Sequence, residues 1–348
     1  HDRARGRDHI LAEITRAARA AANGRSVYLV AENEPQDARL VRSQERGGYG
    51  MDALWNDDLH HAAMVALIGR NEAYYTDYLG APQEFVSAAK WGFLYQGQHY
   101  QWQQKRRGSP ALDLPPQAFV SFIQNHDQIA NSGRGGRIHQ LTSPGRLRAM
   151  TAFLLLGPAT PMLFMGQEFG ASSPFLYFAD HEPELARAVS RGRREFLRQF
   201  PSLAQADVPE PADAETFRRC TLDFAEREKH AEILALHRDL LRLRREDRVI
   251  GALARGAIDG AVLGGDAFVL RYFGGEAGDR LLLVNLGRDL RFAPAPEPLL
   301  ASPDGRPWRV LWCSEDPRYG GGGAPEPESL EGSWHIPGEA AVFVTSEE

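Results

Sequence analysis

Four short apolar runs, each closing on charged or amide residues, set the rhythm of the first half of the chain. Val27-Tyr28-Leu29-Val30-Ala31 ends at Glu32-Asn33-Glu34, and Met51 to Trp55 ends at Asn56-Asp57-Asp58. Phe119 to Ile123 ends at Gln124-Asn125-His126-Asp127, and Pro161 to Met165 ends at Gly166-Gln167-Glu168. None of the runs alternates apolar with polar, the pattern of a parallel strand buried on both faces. Helical segments lie between them. Asp8 is placed to cap a helix over about 9–22 whose apolar positions Ile10, Leu11, Ile14, Ala17, Ala18 and Ala21 follow the helical period, with Asn23-Gly24 as its stop. Further helices are predicted over Leu59 to Ile68, from Ser143-Pro144 through Leu147, Met150 and Leu154 to Gly157-Pro158, and through Ile233, Leu236, Leu240 and Leu243 to near 247.

From about residue 253 the pattern changes to short strands, Phe268 to Phe273, Leu281 to Asn285, Val310 to Trp312 and Ala341 to Val344, separated by clusters such as Gly320 to Gly323. This predicts an antiparallel β-sandwich. In the first part no GxGxxG or GxxxxGK[ST] follows any strand, so a nucleotide-binding doubly wound sheet has no support and a barrel is the better expectation. A complete (β/α)8 barrel takes about 250 residues and eight strands. Only four strands are countable, and the loop-rich stretch 70–118 holds none. The expected fold is α/β: the carboxyl-terminal half (strands 5 to 8) of a (β/α)8 TIM barrel over 1–252, followed by a small antiparallel β-sandwich over 253–348, with the other half of the barrel upstream.

Composition narrows the partners. The 348 residues are 43% hydrophobic and 25% charged, an ordinary globular balance. Forty Lys and Arg against 46 Asp and Glu leave a net charge of -6, the wrong sign for a surface that follows phosphate backbones, so nucleic acid is excluded as a partner. The two cysteines, Cys220 and Cys313, form neither a disulfide framework nor a zinc spacing, which points to a reducing, cytoplasmic setting. No apolar run reaches membrane-spanning length, and His1-Asp2-Arg3-Ala4-Arg5 has neither a signal-peptide core nor an initiator Met. The expectation is the downstream part of a longer protein.

In such barrels the chemistry sits at the carboxyl ends of the strands. Here those ends bring Glu32, Asp57, Asp58, His126 and Asp127 to one mouth with Trp55, His60 and His61. A glycosidase needs one carboxyl kept protonated to donate to the leaving oxygen and others ionised against an oxocarbenium-like transition state, roles open to Glu32 and Asp127. Plainer roles stand beside these: helix capping for Asp57, Asp58, Glu32 or Asp127, and metal ligation by His60 and His61, which neighbouring directions on a helix disfavour. Between Tyr74 and Gln103, the aromatics Tyr74, Tyr75, Tyr78, Trp91, Phe93, Tyr95, Tyr100 and Trp102 alternate with Gln96, Gln98, Gln101 and Gln103. Rings that stack on sugar faces and amides that bond hydroxyls suit a polysaccharide groove, and a packed amide-rich loop is the competing reading. Arg106-Arg107-Gly108 and Gly133 to Arg137 read as mobile rim.

Several segments carry a resemblance: Val30 to Gln36, Gly48-Tyr49-Gly50, Asp52 to His61 with its Trp-Asn-Asp-Asp-Leu-His-His core, Gln124 to Gln128, Leu163 to Phe169 and Tyr177 to His181. Together they resemble the malto-oligosyltrehalose trehalohydrolase family of the α-amylase clan of glycoside hydrolases. That resemblance implies Glu32, ending strand five, as proton donor, Asp127, ending strand seven, as stabiliser of the transition state, and His126 as a holder of the sugar in the cleaved subsite. It also implies a cleft lined by Trp55, Asp57, Asp58, Leu59, His60 and His61 and by His126, Gln128, Ile129, Ala130 and Asn131. The implied reaction is retaining hydrolysis of the α-1,4 bond next to the terminal trehalose of maltooligosyl trehalose, with no cofactor and no metal. A glucan branching enzyme of the same clan and a non-catalytic glucan-binding protein are the alternatives. The family's nucleophile, an Asp in an Arg-x-Asp segment ending strand four, is not matched by Asp2 or Asp8, and is expected upstream.

Overall fold

The computed structural model describes residues 9–203, 208–254, 256–303, 305, 307–323, 326–329 and 332–346. The first helix, α1 (Ile10–Ala21), is capped by His9, whose Nδ1 accepts the Leu11 N–H, and Asp8 lies outside the described residues. Asn23 and Gly24, at φ +48° and +83°, end it as expected. Its docked face differs from the expected one. Ala12 and Thr15 are buried, whereas Ile10 and Ile14 stay 48% and 47% exposed. Polar contacts set this orientation: Gln44 Nε2 donates to Ala12 O, Arg19 bonds Asp52 at 2.9 Å, and His9 stacks on Tyr49.

Four parallel strands follow, β1 (Val30–Ala31), β2 (Ala53–Trp55), β3 (Phe119–Ser121) and β4 (Thr160–Pro161), paired strictly in chain order. This order lacks the reversal of a doubly wound sheet. Each strand is shorter than its apolar run. In the first run the Leu29 N–H goes to the Asp52 carboxylate at 2.7 Å instead of to a ladder carbonyl. The fourth lies over 160–161 rather than 161–165. Pro161 has no N–H for the ladder, Met162 N makes one last bond to Ser121 O, and Gly166 at φ +81° turns the chain away.

Helix α2 (Asp57–Ile68) starts at an Asn56 cap, so neither Asp57 nor Asp58 is the capping residue. The stretch 70–118 holds a helix that the sequence reading missed, α3 (Pro82–Trp91), opened by Pro82 and closed by Gly92 at φ +74°. It also holds a two-residue hairpin pairing His99–Tyr100 with Lys105–Arg106. After β3 come the short α4 (His126–Ala130) and α5 (Pro144–Leu156), which keeps the expected Ser143 cap and Gly157 stop. Two further long helices are α6 (Pro183–Leu197), unanticipated, and α7 (Ala231–Glu246), which buries Leu236 and Leu240. Arg244 of α7 donates to the carbonyls of Leu155, Gly157 and Ala159, fixing the approach to β4.

The remainder is β-rich: β5 (Ile258–Gly264), β6 (Ala267–Tyr272), β7 (Arg280–Asn285), β8 (Leu290–Phe292), β9 (Arg309–Cys313), β10 (Trp334–Ile336) and β11 (Ala340–Thr345). An antiparallel sheet runs β9-β11-β7-β6-β5, and β8 pairs with β10 as a separate ribbon. The expected sandwich is therefore unequal, with one full sheet and one two-stranded layer. β6, β7 and β11 are buried along their whole length because both faces are covered, with apolar residues at all positions except Arg271, Arg280, Asn285 and Thr345. Phe268, Leu270, Leu282, Val284 and Phe343 pack with Phe85 of α3 and Leu154 of α5, while Val269, Leu281, Leu283, Val342 and Val344 pack with Trp308, Trp334 and Ile336.

Candidate active site

Because the four strands run parallel, the residues that follow them emerge on one side. Glu32 comes one residue after β1, Asp57 two after β2, and His126 and Asp127 five and six after β3. His126 Nε2 lies 3.7 Å from Glu32 Oε1 and 3.5 Å from Asp127 Oδ1. The Trp55 ring stands edge-on to His126, with centroids 5.8 Å apart, and edge-on to Phe122, so it braces the imidazole. Burial raises the Glu32 carboxyl above its usual range. His126 opposes that shift and the Asp127 carboxylate adds to it. A carboxyl biased towards its protonated form beside a second carboxylate is the arrangement of a proton donor with an electrostatic stabiliser. Ligand atoms of Glu32, His126 and Asp127 all lie within 4.8 Å of one another, so among the described residues this trio is also a group with the closeness to hold a metal ion.

Beside the trio is a cavity of about 330 Å³ lined by Glu32, Glu34, Asp57, His61, Tyr74, Tyr100, Trp102, Gln103, Asn125, Asp127, Gln128, Asn131 and Phe196. Helical phase decides which expected residues reach it. Asp57 and His61, four apart on α2, line it together. Asp58, Leu59 and His60 do not, which corrects the expectation that the whole run faces the cleft. Asp58 is fully buried and accepts from Tyr78 Oη (2.6 Å), Leu94 N (2.8 Å), Tyr95 N (2.9 Å) and Arg107 Nε (3.2 Å). Leu59 belongs to the core. His60 lies away from the cavity, its Nδ1 3.1 Å from His61 Nδ1, with Phe122 and Tyr75 against its ring. Desolvation lowers His60 to about 3 and takes His61 well below its usual value, so both rings are neutral.

The same phase sorts the later segment. Gln128 and Asn131 line the cavity, whereas Ile129 and Ala130 are buried and turned from it. Asn131 is fixed between Tyr74 Oη and the Arg193 guanidinium. The aromatic stretch also divides. Tyr74, Tyr100 and Trp102 reach the cavity, and Tyr74 stacks on His61 at 5.0 Å. Tyr75, Tyr78 and Phe93 are core residues.

Two arginines expected on a mobile rim are buried. Arg107, 2% exposed, pairs with Glu34 and Asp58 and lies over the Tyr100 ring. Arg137, fully buried, donates to Ser173 O and Met165 O. The oxygen acceptors of their guanidinium groups lie 28 to 73 residues away, so local sequence carries no sign of them. Phe196 reaches the cavity from the unanticipated helix α6, and Glu34 and Asn125, which stand beside the expected Glu32 and His126 in the sequence, are cavity residues in their own right. Asp57 is the most perturbed cavity carboxyl, raised to about 7 by burial, with Asp58, Glu34 and Glu32 adding to the rise and Arg107 opposing it.

A malto-oligosyltrehalose trehalohydrolase of Deinococcus radiodurans is 40% identical over 278 residues, 76% of this chain and 46% of that protein. One from Arthrobacter ramosus is 42% identical over 228 residues, 64% of this chain and 39% of the relative. The chain is homologous to malto-oligosyltrehalose trehalohydrolases. It spans less than half the length of these curated relatives. The structure of a putative α-amylase from Salmonella typhimurium covers 99% of this trehalohydrolase homologue at a TM-score of 0.79 and 30% identity, the homologue covering 55% of that chain. The catalytic module of the glycogen-degrading pneumococcal virulence factor SpuA shares the fold over 97% of the homologue, at a TM-score of 0.57 and 13% identity. Residues 255–343 match a domain of unknown function. The family resemblance read from the motifs is thus borne out, together with the α-amylase-type fold and its β-rich carboxyl-terminal part.

Proposed function

We propose that this chain supplies the acid-bearing part of a retaining glycosidase that hydrolyses the α-1,4 bond adjacent to the terminal trehalose of maltooligosyl trehalose and releases trehalose. The observation that carries the reading is the convergence of Glu32, His126 and Asp127 at the ends of parallel strands, beside a cavity lined by rings and amides. Glu32 gives its proton to the glycosidic oxygen as that bond breaks. Asp127 offsets the positive charge developing at the sugar ring, and His126, braced by Trp55, holds the sugar undergoing cleavage. Asp57, His61, Gln128 and Asn131 bind hydroxyls, while Tyr74 and Trp102 offer ring faces. The nucleophile is a third carboxylate in the longer protein that carries this chain.

In this reading the four parallel strands are strands five to eight of a (β/α)8 barrel, with the division from the β-rich part at 252/253. The enzyme is cytoplasmic. Among the described residues no helix is long and apolar enough to cross a membrane, which is compatible with that placement. The test is Glu32→Gln in the intact gene product: trehalose release from maltooligosyl trehalose is abolished while oligosaccharide affinity stays within about threefold, about 0.7 kcal/mol in binding energy. Undiminished turnover removes Glu32 from the mechanism, and new branch points without trehalose replace the hydrolase reading with the branching-enzyme one.

A further inference from the structure

The cavity of about 330 Å³ lies near the small end of the roughly 300–1,000 Å³ typical of ligand sites, so the outer units of an oligosaccharide have to lie on the surface beyond it. We propose that Tyr177 and Phe178, with Phe217 beside them and Asp180 and His181 at their edge, form an outer binding platform for α-glucan units. This inference rests on the α-glucan reading above.

The platform is continuous with the cavity wall. Phe196 lines the cavity from α6, and Arg193, one helical turn earlier, donates to Asn131 Oδ1 and to Ala130 O. The same guanidinium lies over the rings of Phe196, at 5.7 Å, and Tyr177, at 5.0 Å. Tyr177 is therefore separated from the cavity wall by a single immobilised cation. The backbone that presents the platform is pinned on both sides. Phe175 N donates to Gly135 O (3.0 Å), Leu176 N to Cys220 Sγ (3.1 Å) and Ala179 N to Pro211 O (2.9 Å), and the Leu176 side chain is buried.

Between these anchors Tyr177 and Phe178 are 40% and 37% exposed, and Phe178 stands edge-on to Phe217, itself 56% exposed, at 5.1 Å. Single exposed aromatics are ordinary, but a rigid run of them beside a polar-lined cavity is a ready surface for a ligand with apolar faces and hydroxyl edges. Asp180 and His181 are exposed next to the rings and supply groups for those hydroxyls.

The experiment is calorimetric titration of the protein with maltose and with maltoheptaose, before and after the double change Tyr177→Ala and Phe178→Ala, with Tyr177→Trp as a stacking-competent control. Affinity for maltoheptaose is expected to fall about tenfold in the double variant, the combined effect of two lost stacking contacts. Affinity for maltose stays unchanged, and Tyr177→Trp retains the preference for the longer chain. Equal losses for both sugars, or no loss for either, overturn the platform while leaving the α-glucan reading intact. Failure of the unaltered protein to bind either sugar overturns the α-glucan reading itself, and the platform with it.

Discussion

Asp57 provides a test of the site that does not require turnover. Its carboxyl is raised from 3.8 to about 7, chiefly by burial. In the unfolded chain it ionises near its ordinary value, so between the two values the unfolded state holds fewer protons than the folded one. Stability therefore falls as pH rises through this window and levels off above it. With these two values, Asp57 destabilises the fold by about 2 kcal/mol at pH 5 and about 4 kcal/mol at pH 8. This is an upper figure, because Asp57 keeps part of its surface in the cavity. Asp57→Asn removes the titration at nearly constant shape. Urea unfolding of both proteins at the two pH values reads the effect as the change in their stability difference, which cancels every other titrating group. The variant gains on the parent by about 2 to 3 kcal/mol between pH 5 and pH 8. A difference that stays constant across this range refutes the raised carboxyl and the dry setting inferred for it.

Other expectations follow from the same contacts. Removing either partner of the buried Arg107–Asp58 pair, by Arg107→Met or Asp58→Ala, is expected to cost about 3 to 5 kcal/mol. The double variant loses less than the sum, and strict additivity in a denaturation cycle would show that the two side chains do not sense each other. Gly92→Ala places a Cβ 2.5 Å from the Phe119 ring at a φ of +74°, and should lower stability by roughly 2 to 4 kcal/mol; an unchanged melting temperature would contradict the tight approach. His60 and His61 stay neutral, so their imidazole carbon shifts should not titrate between about pH 5 and 8, and a midpoint inside that range would contradict their burial. With Glu32 as proton donor, kcat/KM falls on the alkaline side through a pKa above the ordinary carboxylate range; a limb at or below that range would assign the proton to another group.

The parallel strands were legible because each apolar run stops at the residues that reach the mouth, and helix α5 because Ser143-Pro144 and Gly157-Pro158 punctuate it. Strand lengths were not legible. They depend on a side chain, Asp52, intercepting a backbone N–H, and on Pro161 interrupting the ladder. Helix α3 escaped because its buried residues Pro82, Phe85, Val86, Ala88 and Ala89 do not form a regular stripe of large aliphatic residues and the helix lies in a stretch whose aromatics and amides suggest a loop. β5 escaped because glycines interrupt Ile258-Asp259-Gly260-Ala261-Val262-Leu263-Gly264. Asp57 and Asp58 are the same residue type at adjacent positions, and the rotation of about 100° from one helix residue to the next makes the first a cavity wall and the second a buried anchor. Arg107 and Arg137 looked solvated because charged residues usually are, while the carboxylate and carbonyl acceptors that permit their burial are brought in only by the fold.

The face of the large sheet carrying Phe268, Leu270, Leu282, Val284 and Phe343 has no apolar partner of its own and is completed by Phe85 of α3 and Leu154 of α5. Tyr272 Oη donates to Leu156 O, and Arg280 pairs with Asp247 at 2.8 Å across the same seam. The two parts are thus interlocked in inheritance as well as in space. A β-rich segment exchanged from a relative arrives without the helices that shaped it, so recombination between homologues is tolerated only where the crossover carries α3, α5 and the sheet together, or where the incoming side chains already match.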